Sequence, residues 1–234
     1  MRLEKEDILY EDKNIIVCHK RAGIATQTSR PAEPDMVSIL KNYLKTPYVA
    51  VVHRLDQPVE GLLVFAKTRA AAAGLSEQNR CRMMGKYYYA AVILRQAKER
   101  EIHTLSDYLK KDGKANISRV VGRDEEGGRR SVLSYQIIKI LPEEKEGDLA
   151  CGLLRIELET GRHHQIRVQL AHAGMPLLGD GKYGSEESKR ISREKGLREV
   201  ALCCCQLEFR HPATGKELSF HIQPRGQAFA SFFQ

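Results

Sequence analysis

The segment VVHRLDQPVEGLLVFAK, residues 51–67, sets the side chains of His53, Arg54 and Asp56 between an apolar approach and an apolar run. The apolar run is predicted to be a buried strand, because it is short, continuous and rich in Leu, Val and Phe. Asp56 does not fit a regular central strand, since Pro58 lacks the N–H that a strand ladder needs. We therefore expect Asp56, together with His53 and Arg54, on a loop that leads into the strand.

Length, composition and charge describe a basic globular protein. The chain has 234 residues, of which 42% are hydrophobic and 29% charged, and its formal net charge is +8. No shift in composition marks a boundary, so we predict a single domain over residues 1–234. The positive charge favours an anionic partner without separating RNA, DNA and acidic lipid. Because no apolar run approaches a membrane span and the N-terminus lacks a secretory pattern, we expect a cytoplasmic protein that does not engage a membrane. We also expect this protein to be a monomer.

The cysteines and histidines do not predict a metal site. None of the six cysteines forms a Cys-x-x-Cys pair. Cys203, Cys204 and Cys205 would alternate across a strand, so we expect them to be buried, reduced and small apolar residues. The histidines at 163, 164 and 172 lack a carboxylate or thiolate in register. We therefore expect no bound metal.

Hydrophobic patterns predict many strands and few helices. Strands are predicted at 8–11 and 15–20 (joined by a turn at 12–14), 86–94, 132–140, 153–158, 200–209 and 217–222. Helices are predicted at 37–44, at 69–78 (capped by Thr68) and, after a turn, in the later part of 160–174 (closed by Gly174). An acidic loop at 142–148 separates two of these strands. Because strands and helices do not alternate regularly, we predict the α+β class with a largely antiparallel sheet.

Residues 105–130 form a basic, glycine-rich segment that is predicted to be a hairpin or an exposed arm. Its lysines and arginines could bind RNA phosphates and release counterions. They could equally cover a solvated surface ribbon. The sequence leaves both interpretations open.

The motif His-Arg-Leu-Asp, residues 53–56, followed by Gly-Leu-Leu-Val-Phe-Ala-Lys, closely resembles the catalytic loop of RluA-type RNA pseudouridine synthases. That resemblance implies that Asp56 is the nucleophile, whereas an isolated Asp at such a place would be interpreted as a turn former or helix cap. His53 is either a packed, hydrogen-bonded loop residue or a direct participant. The family usually has Thr-Ser-Gly before the strand, where this chain has Val-Glu-Gly, and we expect the side chain of Glu60 to point to solvent.

A second segment, KYYYAAV, residues 86–92, resembles the family pattern Lys-x-Tyr-x-Ala-x-Val. The tyrosine of that pattern stacks on the target uracil, and it corresponds to Tyr88. Lys86 then belongs to the RNA-binding residues. Strand alternation places Tyr88 on one face and its two neighbouring tyrosines on the other. Without the resemblance, Tyr88 would be interpreted as a core or cross-strand aromatic.

A third segment, GRHHQIR, residues 161–167, resembles the family pattern Gly-Arg-Thr-His-Gln-Ile-Arg, with a histidine in place of the threonine. The resemblance implies that Arg167 is the basic partner of the catalytic aspartate, and that Arg162 and His164 line the RNA side. Helical spacing separates Arg167 from the core-facing residues, so it can face the loops. The segment GDGKYG, residues 179–184, resembles a family loop beside the site.

The resemblance covers nearly the whole chain and implies the pseudouridine synthase fold, with flanking helices and loops and with a catalytic cleft across the sheet. Because the resemblance begins almost at residue 1, we expect no S4 module of the kind that many members carry at the N-terminus. The implied reaction converts uridine in ribosomal or transfer RNA to pseudouridine without cofactor or metal. Arg54 could fill the vacancy that a flipped base leaves.

Two other functions remain open. One is a catalytically silent RNA-binding or folding factor on the same scaffold. The other is a glycoside hydrolase that uses Asp56 and Glu60 as paired carboxylates. The low aromatic content of 6% and the absence of tryptophan argue against sugar-binding platforms.

Overall fold

The computed structural model describes residues 4–28, 30, 33–95, 101–141 and 149–233. The strands are β1 Ile8–Glu11, β2 Ile15–Lys20, β3 Ala50–Val51, β4 Glu60–Ala66, β5 Gly85–Leu94, β6 Ile102–Asp112, β7 Ile117–Val121, β8 Arg129–Leu141, β9 Ala150–Leu158, β10 Leu202–Arg210 and β11 Glu217–His221. The helices are α1 Met36–Leu44, α2 Arg69–Arg80, α3 Gln165–His172 and α4 Glu186–Glu194, with short 3₁₀ helices at Lys5–Asp7 and Gln227–Phe232.

Two compact units divide the chain, one formed by Met1–Lys86 with Cys203–Pro224 and one by Tyr87–Leu202 with Arg225–Gln234. We call them unit 1 and unit 2. The prediction of a single domain over residues 1–234 stays a prediction. The predicted acidic loop at 142–148 lies outside the described residues.

The sheet of unit 1 is mixed, with strand order β1-β2-β4-β10 and with β11 on β10. Strand β4 pairs antiparallel with β2 and parallel with β10, and it is buried along its whole length. Gly61 is required where β4 meets β10: its φ of +129° suits glycine, and a Cβ there would overlap the backbone of Cys204. The predicted buried strand after the motif is therefore confirmed.

Helix α2 contacts β4 and begins where the sequence predicts. The side chain of Thr68 accepts a hydrogen bond from the N–H of Ala71 at 3.2 Å, which satisfies one of the donors that a helix N-terminus leaves without a partner. The predicted buried state of Cys203, Cys204 and Cys205 is also confirmed, and all three are free thiols. Burial raises the pKa of Cys203 well above its ordinary value, which keeps this thiol protonated.

The sheet of unit 2 is antiparallel throughout its order β5-β9-β8-β6-β7, with β7 at the edge. The basic segment at 105–130 contributes the β6–β7 hairpin. Of the two shapes predicted for this segment, a hairpin and an exposed arm, the structure has the hairpin. Helix α3 contacts β6 and β7 and ends before Gly174, whose φ is +80°. Helix α4 lies in a charged tract for which the sequence predicted no element.

These elements confirm the α+β class with a mostly antiparallel sheet. Among the described residues, no helix combines the length and apolarity needed to cross a bilayer. Within the same ranges, no three His, Cys, Asp or Glu side chains are grouped so that they could hold a metal ion.

Candidate active site

Asp56 lies on the loop between β3 and β4, as predicted. Its side chain is half-buried. Its backbone carbonyl accepts a hydrogen bond from the N–H of Val59 at 3.1 Å, which closes a turn around Pro58. This turn directs the chain into β4 immediately after the aspartate.

Hydrogen bonds from residues 23–26 hold the backbone on both sides of Asp56. The hydroxyl of Thr26 donates to the carbonyl of Leu55 at 2.9 Å and accepts from its N–H at 3.1 Å. On the other side, the carbonyl of Gln57 accepts from the N–H of Gly23 at 2.8 Å. A loop residue that would otherwise sample many conformations is therefore held in one orientation.

Lys20 reinforces this arrangement from the end of β2. Its side chain is fully buried, and its ammonium donates to the carbonyls of Ile24 at 2.7 Å, Arg21 at 3.1 Å and Gln57 at 3.2 Å. Three carbonyl partners satisfy all three ammonium donors, which offsets the cost of burying the charge. The sequence interpretation missed this role, although a lysine at the end of a strand that begins Ile-Ile-Val-Cys was the signal available.

His53 is buried and hydrogen-bonded, as the first of its two interpretations requires. Its Nε2 accepts from the N–H of Val64 at 3.3 Å and so satisfies a β4 donor. Burial, with a smaller contribution from the charge of Lys86, lowers the pKa of His53 to about 3. The imidazole is thus neutral at physiological pH, with its proton on Nδ1. A direct role of His53 stays a prediction.

Lys86 is connected to the same loop through a residue of α2 that the sequence interpretation missed. Its ammonium donates to Asn79 Oδ1 at 2.8 Å, and Asn79 Nδ2 donates to the carbonyl of Val52 at 3.3 Å. Burial lowers the pKa of Lys86. Arg54, by contrast, is exposed and makes no ion pair within the described ranges. Its guanidinium is therefore accessible to a ligand.

The prediction that Glu60 points to solvent is wrong. Glu60 is only 5% exposed, and its Oε2 lies 3.2 Å from Nε2 of His19. It begins β4, which is buried at every position and therefore covered on both faces of the sheet, so a side chain there has little access to water. His19, on the adjacent strand β2, supplies the hydrogen-bond donor that a buried carboxylate needs.

Tyr88 lies on β5 with the alternation that the sequence predicts. It is buried, as are Ala90 and Val92 on the same face, whereas Tyr87 and Tyr89 are half-buried on the opposite face. This arrangement is compatible with a core aromatic and with an aromatic platform for a base. The role in uracil stacking stays a prediction.

Arg167 faces the loop after α3, and it is buried there rather than exposed. Its Nε and Nη2 donate to the two carboxylate oxygens of Asp180, both at 2.7 Å, and its Cζ lies 5.1 Å from the ring centre of Tyr183. Burial alone would raise the pKa of Asp180, but the hydrogen bonds and charge of Arg167, with the N–H groups of Tyr183 and Lys182, hold it below its ordinary value. The sequence interpretation did not identify Asp180 as the partner.

His164 and Arg162 precede α3 and differ in exposure. His164 is buried, and its Nδ1 is hydrogen-bonded to the hydroxyl of Tyr183 at 2.8 Å. Arg162 is exposed, with its Nε 3.4 Å from the carbonyl of Arg130. Their predicted places on the RNA side stay predictions.

Solved structures of two human proteins share this fold. Human RNA Pseudouridylate Synthase Domain Containing 4 aligns over 94% of this chain and 89% of its own, with a TM-score of 0.72 and 23% identity. Human RNA Pseudouridylate Synthase Domain Containing 1 aligns over 96% of this chain and 86% of its own, with a TM-score of 0.74 and 19% identity. These likenesses establish the pseudouridine synthase fold.

Sequence comparison extends the likeness from fold to family. The family model described as RNA pseudouridylate synthase matches residues 14–172. The Haemophilus influenzae "Ribosomal large subunit pseudouridine synthase C" is 31% identical over 93% of this chain, which spans 65% of that relative's length. The Vibrio cholerae "Dual-specificity RNA pseudouridine synthase RluA" is 33% identical over 88% of this chain and 78% of its own. The chain belongs to the RNA pseudouridylate synthase family, and the resemblance to its RluA-type members is confirmed.

Proposed function

We propose that this protein is an RNA pseudouridine synthase with Asp56 as its nucleophile. The observation that supports this most strongly is the rigid placement of Asp56, whose loop carries the family's motif. Both neighbours of Asp56 are hydrogen-bonded to residues 23–26 through backbone groups. A nucleophile held in one direction by its scaffold loses little entropy when the reaction begins.

The proposed reaction is an isomerisation and is balanced without a co-reactant. The bond between N1 of uracil and C1′ of ribose breaks, the base turns, and a bond from C5 to C1′ forms, while C5 releases its proton and N1 takes up a proton. The carboxylate of Asp56 would attack C1′, or it would assist formation of a glycal. Because no electrons are transferred to or from the nucleoside, the reaction requires no redox cofactor.

A stacked uridine must leave its helix before either route can begin, which costs a few kcal/mol. We propose that Arg54 fills the vacancy. A planar guanidinium can stack where the base was and can hydrogen-bond the base left behind. The exposure of Arg54 and its lack of an ion pair in the described part of the chain support this role.

The other predicted residues receive roles from the family resemblance. Tyr88 would stack on the uracil, and Arg167 would be the basic partner of the nucleophile. Asp180, which binds the Arg167 guanidinium through both carboxylate oxygens, would be the positioning residue for it. The RNA side would include Lys86, Arg162 and His164.

We propose ribosomal or transfer RNA as the substrate and a cytoplasmic monomer with one catalytic domain as the active form. The Haemophilus relative is named for the ribosomal large subunit and the Vibrio relative for dual specificity. Mapping pseudouridines in total RNA from a deletion strain and its parent would identify the position. A pseudouridine lost from one RNA and restored by the plasmid-borne gene is the expected result.

Release of tritium from RNA that carries 5-tritiated uridine tests the activity. We expect Asp56→Asn to retain less than about 1% of the turnover, because the amide keeps the shape of the loop but is not a nucleophile. RNA affinity should change less than about tenfold, since one isosteric exchange leaves the binding surface intact. The matched control is Asp124→Asn, an exposed aspartate in the β7–β8 turn, which should retain turnover.

Two outcomes would contradict the proposal. Turnover of Asp56→Asn above that limit would remove Asp56 from the chemistry. RNA binding by the wild-type protein without tritium release from any cellular RNA would favour a catalytically silent binding factor.

A further inference from the structure

The end of the β6–β7 hairpin is a sharply defined turn. We call residues 111–118 the hairpin tip. The carboxylate of Asp112 accepts hydrogen bonds from the N–H groups of Lys114 at 2.8 Å and Ala115 at 3.0 Å, and Asn116 has a φ of +50°. An aspartate that binds the backbone two and three residues ahead fixes the turn. The tip therefore has a defined shape at the edge of the unit 2 sheet.

The tip carries more positive than negative charge. Lys111 and Lys114 are exposed and make no ion pair within the described ranges, and the carboxylate of Asp112 is hydrogen-bonded to the turn backbone. A third ammonium joins them, because Lys182 Nζ donates to the carbonyl of Asn116 at 2.9 Å. Three ammonium groups around one turn create a positive potential that attracts anions.

The neighbouring β7–β8 turn is different although it is also rich in charge. Its Glu125 lies 2.8 Å from the ammonium of Lys110 and 3.7 Å from the guanidinium of Arg119. These pairs neutralise part of the basic segment at 105–130. The sequence left two interpretations of that segment open, a solvated surface ribbon and a phosphate-binding surface. The ion pairs of the β7–β8 turn fit the first interpretation, and the excess positive charge of the hairpin tip fits the second.

His163 fastens the tip to the segment that precedes α3. Its Nδ1 lies 2.9 Å from the hydroxyl of Ser118 and its Nε2 lies 3.1 Å from Oδ1 of Asn116, so both ring nitrogens are engaged. The ring also stacks on His164 with 3.7 Å between centroids. A threonine at this position would have one hydroxyl and no ring, so it could not make this set of contacts.

Tyr183 adds a second connection between the same segments. Its hydroxyl accepts from the N–H of Ser118 at 2.7 Å and is hydrogen-bonded to Nδ1 of His164 at 2.8 Å. The tip is therefore tied to the residues next to Arg162 and to the loop that holds Arg167. Lysines whose backbone is already ordered lose less entropy when they bind a ligand.

We propose that Lys111, Lys114 and Lys182 form a binding site for the phosphate backbone of RNA, and that His163 is the positioning residue of this site. The inference rests on the proposed function, because its ligand is the same RNA, and it adds the surface that binds nucleotides beyond the reacting uridine. Ammonium groups bind phosphates as point charges and do not select a base, so the site is independent of sequence.

The salt dependence of binding to a fluorescent oligouridylate tests the site. Each phosphate contact to a single strand contributes about 0.7 to the slope of log affinity against log salt, so Lys111→Gln/Lys114→Gln should reduce the slope by about 1.4 and raise Kd about 20-fold at about 0.1 M salt. The control, Lys13→Gln/Lys216→Gln, removes the same net charge from two exposed lysines in turns of unit 1. It should reduce the slope by less than about 0.5.

Tritium release under single-turnover conditions separates this site from catalysis. The lysine double variant should need more RNA for half-saturation but should reach the wild-type rate at saturation. Equal slope changes in the tip and control variants, with normal tritium release, would overturn the site and leave the proposed function standing. If the slope changed only in the tip variant and the wild-type protein released no tritium, the phosphate site would stand and the proposed function would be overturned.

His163→Thr tests the positioning role. We expect Kd to rise several-fold at every salt concentration with an unchanged slope, because the same phosphates are bound by a less ordered tip. His163→Gln, which can make only part of the contacts of the ring, should be intermediate. A slope reduced by about 0.7 in His163→Thr would mean that the imidazole itself contacts a phosphate, which would overturn the positioning role.

Discussion

Asp180→Asn is the substitution whose consequence the structure defines best. Asp180 is 2% exposed, and its carboxylate accepts from Arg167 Nε and Nη2 at 2.7 Å, from the N–H of Lys182 at 2.9 Å and from the N–H of Tyr183 at 3.1 Å. Asparagine keeps the shape, but it is neutral and its amide group would turn a donor toward donors. The Arg167 guanidinium, only 3% exposed, would be left without its counter-charge.

The expected loss follows from the general cost of removing one partner of a buried ion pair, about 3–5 kcal/mol of the free energy of unfolding. The pKa of Asp180 is held below its ordinary value, so the carboxylate binds fewer protons in the folded than in the unfolded protein. Its stabilisation is therefore complete above the unfolded pKa of about 3.9 and is lost as the pH falls through the lower folded pKa. The difference between wild type and variant should be full at pH 7 and should shrink in acid.

Urea unfolding, followed by circular dichroism at neutral pH and at about pH 3, measures both quantities. The matched control is Glu217→Gln, whose partner Arg210 lies at 3.1 Å with both side chains exposed, and which should change stability little. A loss below about 1 kcal/mol for Asp180→Asn at pH 7 would refute the reasoning, since a buried pair of this geometry cannot be that weak when one partner is removed. The reasoning would also be refuted if the difference in unfolding free energy between wild type and Asp180→Asn were as large in acid as at pH 7.

Three further predictions concern the candidate active site. Arg54→Ala should slow tritium release from folded RNA about tenfold more than from an unstructured oligonucleotide, because only folded RNA leaves a vacancy to fill; equal losses would exclude a role in base flipping. Arg167→Met should lose most of its activity at neutral pH and regain part of it toward alkaline pH. The activity of Arg167→Lys should lie between that of Arg167→Met and that of wild type, because lysine keeps the charge but not the paired geometry. A pH–rate profile of Arg167→Met identical to wild type would exclude Arg167 as the partner of Asp56. The ring signals of His53 in NMR should stay those of the neutral form from pH 8 down to about pH 5, since its pKa lies near 3, and titration near pH 6.5 would contradict the buried placement.

Local signals in the sequence predicted the elements that carry the candidate site. The apolar run after Pro58 predicted β4 and the loop before it, and Thr68 predicted the start of α2. The alternation around Tyr88 predicted that Tyr88, Ala90 and Val92 share one face of β5. Each of these features depends on residues within a few positions of one another, because strand period, turns and helix caps are short-range effects.

The partners of the charged and polar side chains were decided by the tertiary structure alone. Glu60 was expected in solvent and is buried, because both faces of β4 are covered and His19 on β2 supplies its hydrogen-bond partner. The pairing of Arg167 with Asp180 and the contact of His163 with Ser118 join residues 13 and 45 positions apart. The same type of side chain can be neutral, paired with an opposite charge or exposed to RNA, depending on which residues from distant parts of the chain lie beside it. The free energy of a buried charge therefore depends on that neighbour rather than on the adjacent sequence.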